Sequence, residues 1–382
     1  MVAPYWLFYA GDRLPISISY ALGKIFTKQT PGRDERLSAR ETERAIMAIP
    51  NTHGASPNGR TIRRLSSIRS RAVANAYNHV GGEYGSYADG EELENPSKIA
   101  TNRYAHGDAI VWETVCRTID ELRSIGGSTL RILDAGCGPG TWIRRIANFA
   151  YRVGLGIDAV GVDVSGRQLE IARKQVAKLQ GRHSTGGQRV TFRIGDLADP
   201  LPWPDGHFHI VLCNYVLNHL PKDALPRVAE ELCRVARYRV ITTVRALGGP
   251  PTACIVGTEK MREYRYDCGC GELWLTLKDG TQHRLIFNLY SAEMLKSVFA
   301  PHATLQDLRA LDLFLHRFAL DLKWTASLVA SLPGREEVVR ELKEIEDRLC
   351  RRVGWIDHGT HILIVARPSH ATALTAESWA AL

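Results

Sequence analysis

The run Leu133-Asp134-Ala135-Gly136-Cys137-Gly138-Pro139-Gly140-Thr141 places three glycines at alternate positions between an apolar stretch and an amphipathic one. Residues 129–133 read as a short buried strand, and residues 142–151 carry apolar side chains at helical spacing. The glycines therefore mark a strand-to-helix corner. Such a corner needs residues without a Cβ, because the backbone turns sharply and a ligand must approach it closely. The dinucleotide fingerprint G-x-G-x-x-G rests a pyrophosphate on the helix N-terminus, whereas this chain has G-x-G-x-G led by an aspartate. A carboxylate at Asp134 repels a pyrophosphate but accepts from an amino group, directly or through water. A nucleoside that carries an amino acid suits the turn better.

The motif resembles motif I of the class I S-adenosylmethionine-dependent methyltransferases, an apolar strand followed by D/E-x-G-x-G-x-G, and matches it at every position. Later strand ends extend the likeness. Residues 157–163 read as a second strand ending in Asp163, with Ser165 a natural N-cap for a helix over 168–179. One carboxylate at that tip accepts from both hydroxyls of a ribose. Residues 189–194 alternate as a third strand and run into Gly195-Asp196-Leu197. Residues 201–214 look like the family's next turn and fourth strand, and Tyr215 to His219 resembles the segment that passes the methionine part of the cofactor. His209 departs from the family, which usually has Asp there; the position is commonly structural.

The resemblance covers roughly residues 100–367 and implies an α/β fold: a Rossmann-like, doubly wound, seven-stranded sheet. It implies S-adenosylmethionine as cofactor, with S-adenosylhomocysteine as product. The turn residues Asp134, Gly136, Cys137, Gly138 and Gly140 would hold the cofactor from below, and Asp163, Val164 and Gln168 would surround the ribose. Asp196 would accept from the adenine amino group and Leu197 would cover the ring, while Asn214, Tyr215 and His219 would flank the methionine part.

The chain of 382 residues carries a net charge of +8, and the excess is local. Residues 1–75 hold 12 Lys or Arg against 5 Asp or Glu, and the remainder holds 37 against 36. A basic, weakly structured N-terminal segment (1–61) thus precedes a nearly neutral body, as a solvated tail or as an RNA-contacting arm. The eight cysteines lack disulfide-framework spacing, and no apolar run is long enough to span a bilayer. A cytoplasmic protein without membrane attachment is expected. Cys268-Gly269-Cys270 has no second pair at zinc-site spacing, so no metal is expected.

Residues 62–128 read as N-terminal helices and a lid, with helices over 63–77 and 109–125 and a tyrosine-rich loop between them. In that stretch, which opens at Tyr77, the tyrosines Tyr77, Tyr84 and Tyr87 either fold over the cofactor or pack the helices onto the sheet. The core domain spans 129–367, with a helix over 222–236 and a fifth strand over 238–244. A substrate cap inserted at about 248–303 contains a hairpin, 273–277 and 284–290, then a helix capped by Ser291. A sixth strand over 304–311, a charged helix over 336–353, a final strand over 360–366 and a tail over 368–382 complete the chain.

Methyl transfer from a sulfonium needs positioning first and a base only when the nucleophile arrives protonated. His219 is the leading catalytic candidate, with a structural or cofactor-contacting role as the alternative, and His316 the weaker one; Arg317 would pair with an acidic acceptor. Asn214-Tyr215-Val216-Leu217 lacks the Asn/Asp-Pro-Pro-aromatic run of amino-methylating DNA and protein enzymes. It also lacks the Pro-Cys of cytosine carbon-5 enzymes and the paired glutamates of arginine methyltransferases. The resemblance therefore points to a small-molecule acceptor methylated on O, N or C. The alternatives are an RNA methyltransferase using the basic arm and a cofactor-binding protein without turnover.

Overall fold

The computed structural model describes residues 68–80, 105–126, 128–180, 188–248, 253–255, 261–267, 271–314 and 334–371, all within the unit Arg63–Leu382. The basic segment 1–61, Tyr84, Tyr87, Cys268 to Cys270, His316, Arg317 and the tail beyond residue 371 lie outside the described residues.

The main sheet contains β1 (Thr129–Ala135), β2 (Gly156–Asp163), β3 (Gln188–Ile194), β4 (Phe208–Asn214) and β5 (Ala236–Arg245). A small sheet follows in the chain, made of β6 (Ala253–Ile255), β7 (Met261–Asp267), β8 (Glu272–Leu277) and β9 (Gln282–Ile286). The main sheet is completed by β10 (Ala303–Leu311) and β11 (His361–Pro368). Its order is β10-β11-β5-β4-β1-β2-β3, with β11 antiparallel to both neighbours and the other pairings parallel. The order reverses between β1 and β4, and ligands of open α/β sheets bind in the crevice beyond the strand ends at such a point.

The helices are α1 (Ile68–Val80), α2 (Ala105–Ser124), α3 (Thr141–Arg152), α4 (Gly166–Gln180), α5 (Leu225–Val235), α6 (Ala292–Phe299) and α7 (Arg335–Cys350). Alternation along the central strands feeds two cores. Ile132, Ile210 and Leu212 face one cluster with Ile119 of α2 and Ile143 and Ile146 of α3. Leu133, Val211 and Cys213 face the other, with Val228 and Leu232 of α5 and Leu295 and Phe299 of α6. Strand β4 is buried along its whole length, as expected for a parallel strand covered on both faces.

The expected hairpin of the cap is the last half of a four-stranded antiparallel sheet, β6-β7-β8-β9. Strand β7 escaped the sequence reading because Arg262, Glu263 and Arg265 dilute its apolar alternation. The second arm of the hairpin also stops early, at Ile286 rather than residue 290. Phe287 to Tyr290 return to the main body instead. There Asn288 N donates to Asn218 O (2.7 Å), Asn218 Nδ2 to Asn288 O (2.5 Å) and Tyr290 Oη to Leu217 O (2.9 Å).

Two helix bounds also differ from expectation. Helix α5 begins at Leu225, because Lys222–Ala224 forms a separate 3-10 turn and Pro226 sits in the first turn of the helix, where its missing N–H costs nothing. Helix α1 continues through Tyr77 to Val80, where a loop was expected. Its inner face, Val73, Ala76 and Val80, packs on Leu273, Leu275, Leu277 and Leu285 of the small sheet, which supports those last turns.

Candidate functional site

A cavity of about 390 Å³ opens beyond the ends of β1, β2 and β4, with α1 and the small sheet forming its far wall. Its floor is the glycine turn. Gly136 N and Cys137 N both donate to Val162 O (2.7 and 2.9 Å), which binds the turn to β2. Gly136 has φ +82°, and an added Cβ would run into the Val216 side chain. Gly138 N donates to Asp163 Oδ2 (2.8 Å), and Ser165 N donates to Asp163 Oδ1 (2.8 Å). The Asp163 carboxylate is thus fixed by one backbone donor on each oxygen, leaving lone pairs on both for a diol. Burial raises its pKa, and those backbone bonds oppose the rise.

Ser165 caps α4 as expected, accepting from Gln168 N (3.2 Å), and its hydroxyl donates to Asn78 Oδ1 (2.7 Å) on α1. Asp196 is buried at the cavity wall and accepts from Ala198 N through Oδ1 (3.0 Å). Asp134 is only 1% exposed and stands behind the turn rather than in the cavity lining. Burial first, and the nearby Asp163 charge second, push its carboxyl up to about 8. Gly140 likewise does not line the cavity. Its φ of +77° starts α3, and a Cβ there would meet Ala172 Cβ at 2.9 Å.

Four buried polar atoms around this half have no hydrogen-bond partner among the described residues: Asp134 Oδ2, Thr141 Oγ1, Gln168 Oε1 and Asn214 Nδ2. Buried polar groups are normally satisfied, so a site that leaves acceptors and a donor open fits a polar ligand. Two carboxylates at successive strand ends and an inner aspartate suit a nucleoside bearing a cationic amino acid, and the residues therefore fit S-adenosylmethionine.

The opposite half of the cavity is aromatic. Tyr77, His219, Phe287 and Tyr266 all line it. Their rings meet edge to face in succession, with centroid separations of 5.5, 5.2 and 4.9 Å. His219 Nδ1 lies 3.2 Å from Ile286 O, which can only accept, so Nδ1 carries the proton of the neutral ring. Nε2 is then the acceptor, and Tyr77 Oη donates to it at 2.9 Å. Burial lowers the imidazole pKa to about 4, against a smaller opposing effect of the Ile286 carbonyl, and so keeps His219 neutral near pH 7.

Of the expected site residues, Gly136, Cys137, Gly138, Asp163, Val164, Gln168, Asp196, Leu197, Asn214, Tyr215 and His219 all line the cavity. Tyr215 adopts φ +61° and donates through its hydroxyl to Asp108 Oδ1 (2.8 Å), tying the end of β4 to α2. Cys137 is buried and its thiol pKa is raised, so it packs the turn as a neutral group. His209 is a β4 core residue whose Nδ1 accepts from Arg131 N (2.9 Å), away from the cavity lining.

Sequence reasoning did not single out Asp108, Arg145, Arg245, Tyr266 and Phe287 as cavity residues. Arg145 and Arg245 did carry a signal. Arg145 falls on the buried face of α3 and Arg245 ends an otherwise buried strand, positions where an arginine needs a reason. Tyr77 opened the tyrosine-rich stretch read as a lid or as helix packing, and its place on the cavity wall follows from where α1 docks.

Residues 132–238 match the family model described as a methyltransferase domain. The probable methyltransferase ltbC of Aspergillus luteorubrus is 31% identical over 115 residues, 30% of this chain and 39% of that protein. Ajmaline N-methyltransferase of Rauvolfia serpentina is 34% identical over 105 residues, 28% of this chain and 32% of that protein. The chain thus spans roughly a third to two fifths of the length of these relatives, 32% and 39%. Among solved structures, an S-adenosylmethionine-dependent methyltransferase from Clostridium acetobutylicum superposes with a TM-score of 0.44 at 10% identity, over 78% of this chain and 98% of that one.

Proposed function

From the premise that this chain carries a class I S-adenosylmethionine-dependent methyltransferase domain, we propose that it methylates a small-molecule acceptor in the cavity between the glycine turn and α1. When bound, S-adenosylmethionine supplies an activated methyl group. The chain's residues then have three tasks. Asp163, held between Gly138 N and Ser165 N, accepts from the ribose hydroxyls, and Asp196 with Leu197 receives the adenine. Asp134, buried and short of a partner at Oδ2, draws the amino group toward the end of β1, directly or through water. Asn214, Tyr215 and His219 line the passage from the cofactor half to the aromatic half, where the acceptor is positioned.

The observation that carries this reading is the single cavity with open polar atoms at one end and an aromatic box at the other. Ajmaline N-methyltransferase, one of the matched relatives, is named for a small-molecule acceptor, in keeping with such a box. The site residues lie in a part of the chain with nearly balanced charge, which favours a small acceptor over a polyanion. Among the described residues no helix is long and apolar enough to cross a membrane, and we place the protein in the cytoplasm, where the cofactor is made.

Methyl-labelled S-adenosylmethionine incubated with the protein, and separately with a small-molecule extract or total RNA, tests the assignment. Label is expected in organic-soluble products and not in RNA. Label in RNA, with transfer falling steeply as salt rises, would overturn it in favour of the basic arm.

A further inference from the structure

The aromatic half of the cavity combines features that the cofactor does not need. Tyr77 Oη donates to His219 Nε2, and the far nitrogen of the imidazole is held by the Ile286 carbonyl. The pair therefore forms a directed relay ending on a ring nitrogen whose lone pair, already accepting from Tyr77 Oη, can take one more proton. Three consecutive residues of α1 fix its position. Tyr77 bonds His219, Asn78 Oδ1 accepts from Ser165 Oγ and Arg167 N (2.7 and 3.1 Å), and His79 stacks on His283 of β9 at 4.9 Å. The tyrosine hydroxyl is thereby held against the cavity from a helix anchored both to α4 and to the small sheet.

The surroundings narrow what this relay can serve. Tyr266, Phe287, His219 and Tyr77 make flat walls suited to a planar ring. Among the described residues no lysine lines the cavity, and next to the aromatic half the guanidinium-bearing Arg245, buried at the end of β5, disfavours a cationic acceptor, while the carboxylates Asp163 and Asp196 stand on the other side. A carboxylate acceptor would need no base, and a saturated alcohol would be too weak an acid for a neutral imidazole to help much. A flat molecule with an acidic aryl or enolic hydroxyl satisfies all of these conditions.

Resting on the methyltransferase reading above, we infer that the acceptor is a planar phenol-type hydroxyl compound, that Tyr77 is a catalytic residue, and that His219 acts through it as the terminal proton acceptor. In the transfer the sulfur–methyl bond breaks and an oxygen–methyl bond forms, leaving a neutral thioether. The acceptor's hydroxyl proton passes to Tyr77 Oη as the tyrosine proton passes to His219 Nε2. The positive charge lost from sulfur thus appears on the imidazolium, which returns its proton to solvent.

The test uses the full chain, with 2-naphthol, 4-nitrophenol, aniline and benzoate as acceptor probes, at a pH where 4-nitrophenol is ionised and 2-naphthol is not. Wild type is expected to methylate both phenols in preference to aniline and benzoate. Tyr77→Phe should bind S-adenosylmethionine, by calorimetry, and 2-naphthol, by fluorescence, within about threefold of wild type, while kcat for 2-naphthol falls about 100-fold. The same variant should lose less than about fivefold in kcat on 4-nitrophenol, which arrives without its proton, and His219→Gln should repeat the pattern. Three results would overturn the proposal: no phenol methylated while the cofactor binds, preference for aniline or benzoate, or a Tyr77→Phe loss equal on both phenols. Failure of wild type to bind S-adenosylmethionine would instead remove the methyltransferase reading beneath it.

Discussion

Asp134 gives the residue scale its sharpest consequence. Its carboxyl is pushed up to about 8, so in the empty protein it holds its proton at pH 7. On the proposed reading, in which the cofactor's ammonium group is drawn to Asp134 and requires its carboxylate, cofactor binding at pH 7 is expected to release a proton that is no longer released above about pH 8. Calorimetry in buffers of different ionisation enthalpy should detect this release in wild type and not in Asp134→Asn. The sign for stability follows from the same shift. Between the ordinary 3.8 and about 8 the unfolded chain holds fewer protons on this group than the folded one, so its contribution to stability is lost as pH rises through that window. Asp134 was legible in the sequence because its place before the glycines is a local pattern. Its burial behind the turn was not, since only the tie of Gly136 and Cys137 to Val162 of the neighbouring β2 decides which side of the turn a side chain occupies.

At the scale of elements, the coupling between α1 and the small sheet separates the two halves of the site. Leu275 is fully buried under α1, within the cluster that also holds Val73, Ala76 and Phe287. Leu275→Ala should cost about 2–5 kcal/mol in denaturant unfolding, as for other large-to-small core changes. It should also raise KM for the acceptor more than the Kd for S-adenosylmethionine, because Asp163 ends β2 and Asp196 follows β3 of the main sheet. Equal losses on both ligands would show that the two halves share their support. The main strands were readable because buried parallel strands are continuous apolar runs; those from β1 to β4 were found within a few residues of their observed ends. The small sheet was only half readable. Its β7 alternates charged residues against a partner layer that belongs to α1, and no local pattern names that partner.

For the whole molecule, the arrangement is a division of labour along one cavity. The sheet of seven strands supplies fixed carboxylates at the strand ends, and the insertion after β5 together with α1 supplies the aromatic wall. The cofactor half follows from chain-local motifs, which is why Gly136, Gly138, Asp163, Asp196 and Asn214 could be named from their spacing. The aromatic half, proposed to hold the acceptor, is assembled from α1, the turn after β4 and the return of the chain after β9, segments more than 60 residues apart. Its composition therefore could be read only as a lid beginning at Tyr77 and a cap after the fifth strand, and the pairing of Tyr77 with His219 came only with the fold. The central claim is that this cavity takes S-adenosylmethionine through the carboxylate held between Gly138 and Ser165. Calorimetric titration of the cofactor into wild type and Asp163→Ala tests it most directly. Saturable binding to wild type, weakened at least about 10-fold in the variant by loss of two charge-assisted hydrogen bonds, is the expected result. Absence of binding to wild type, or equal affinity in Asp163→Ala, would contradict it.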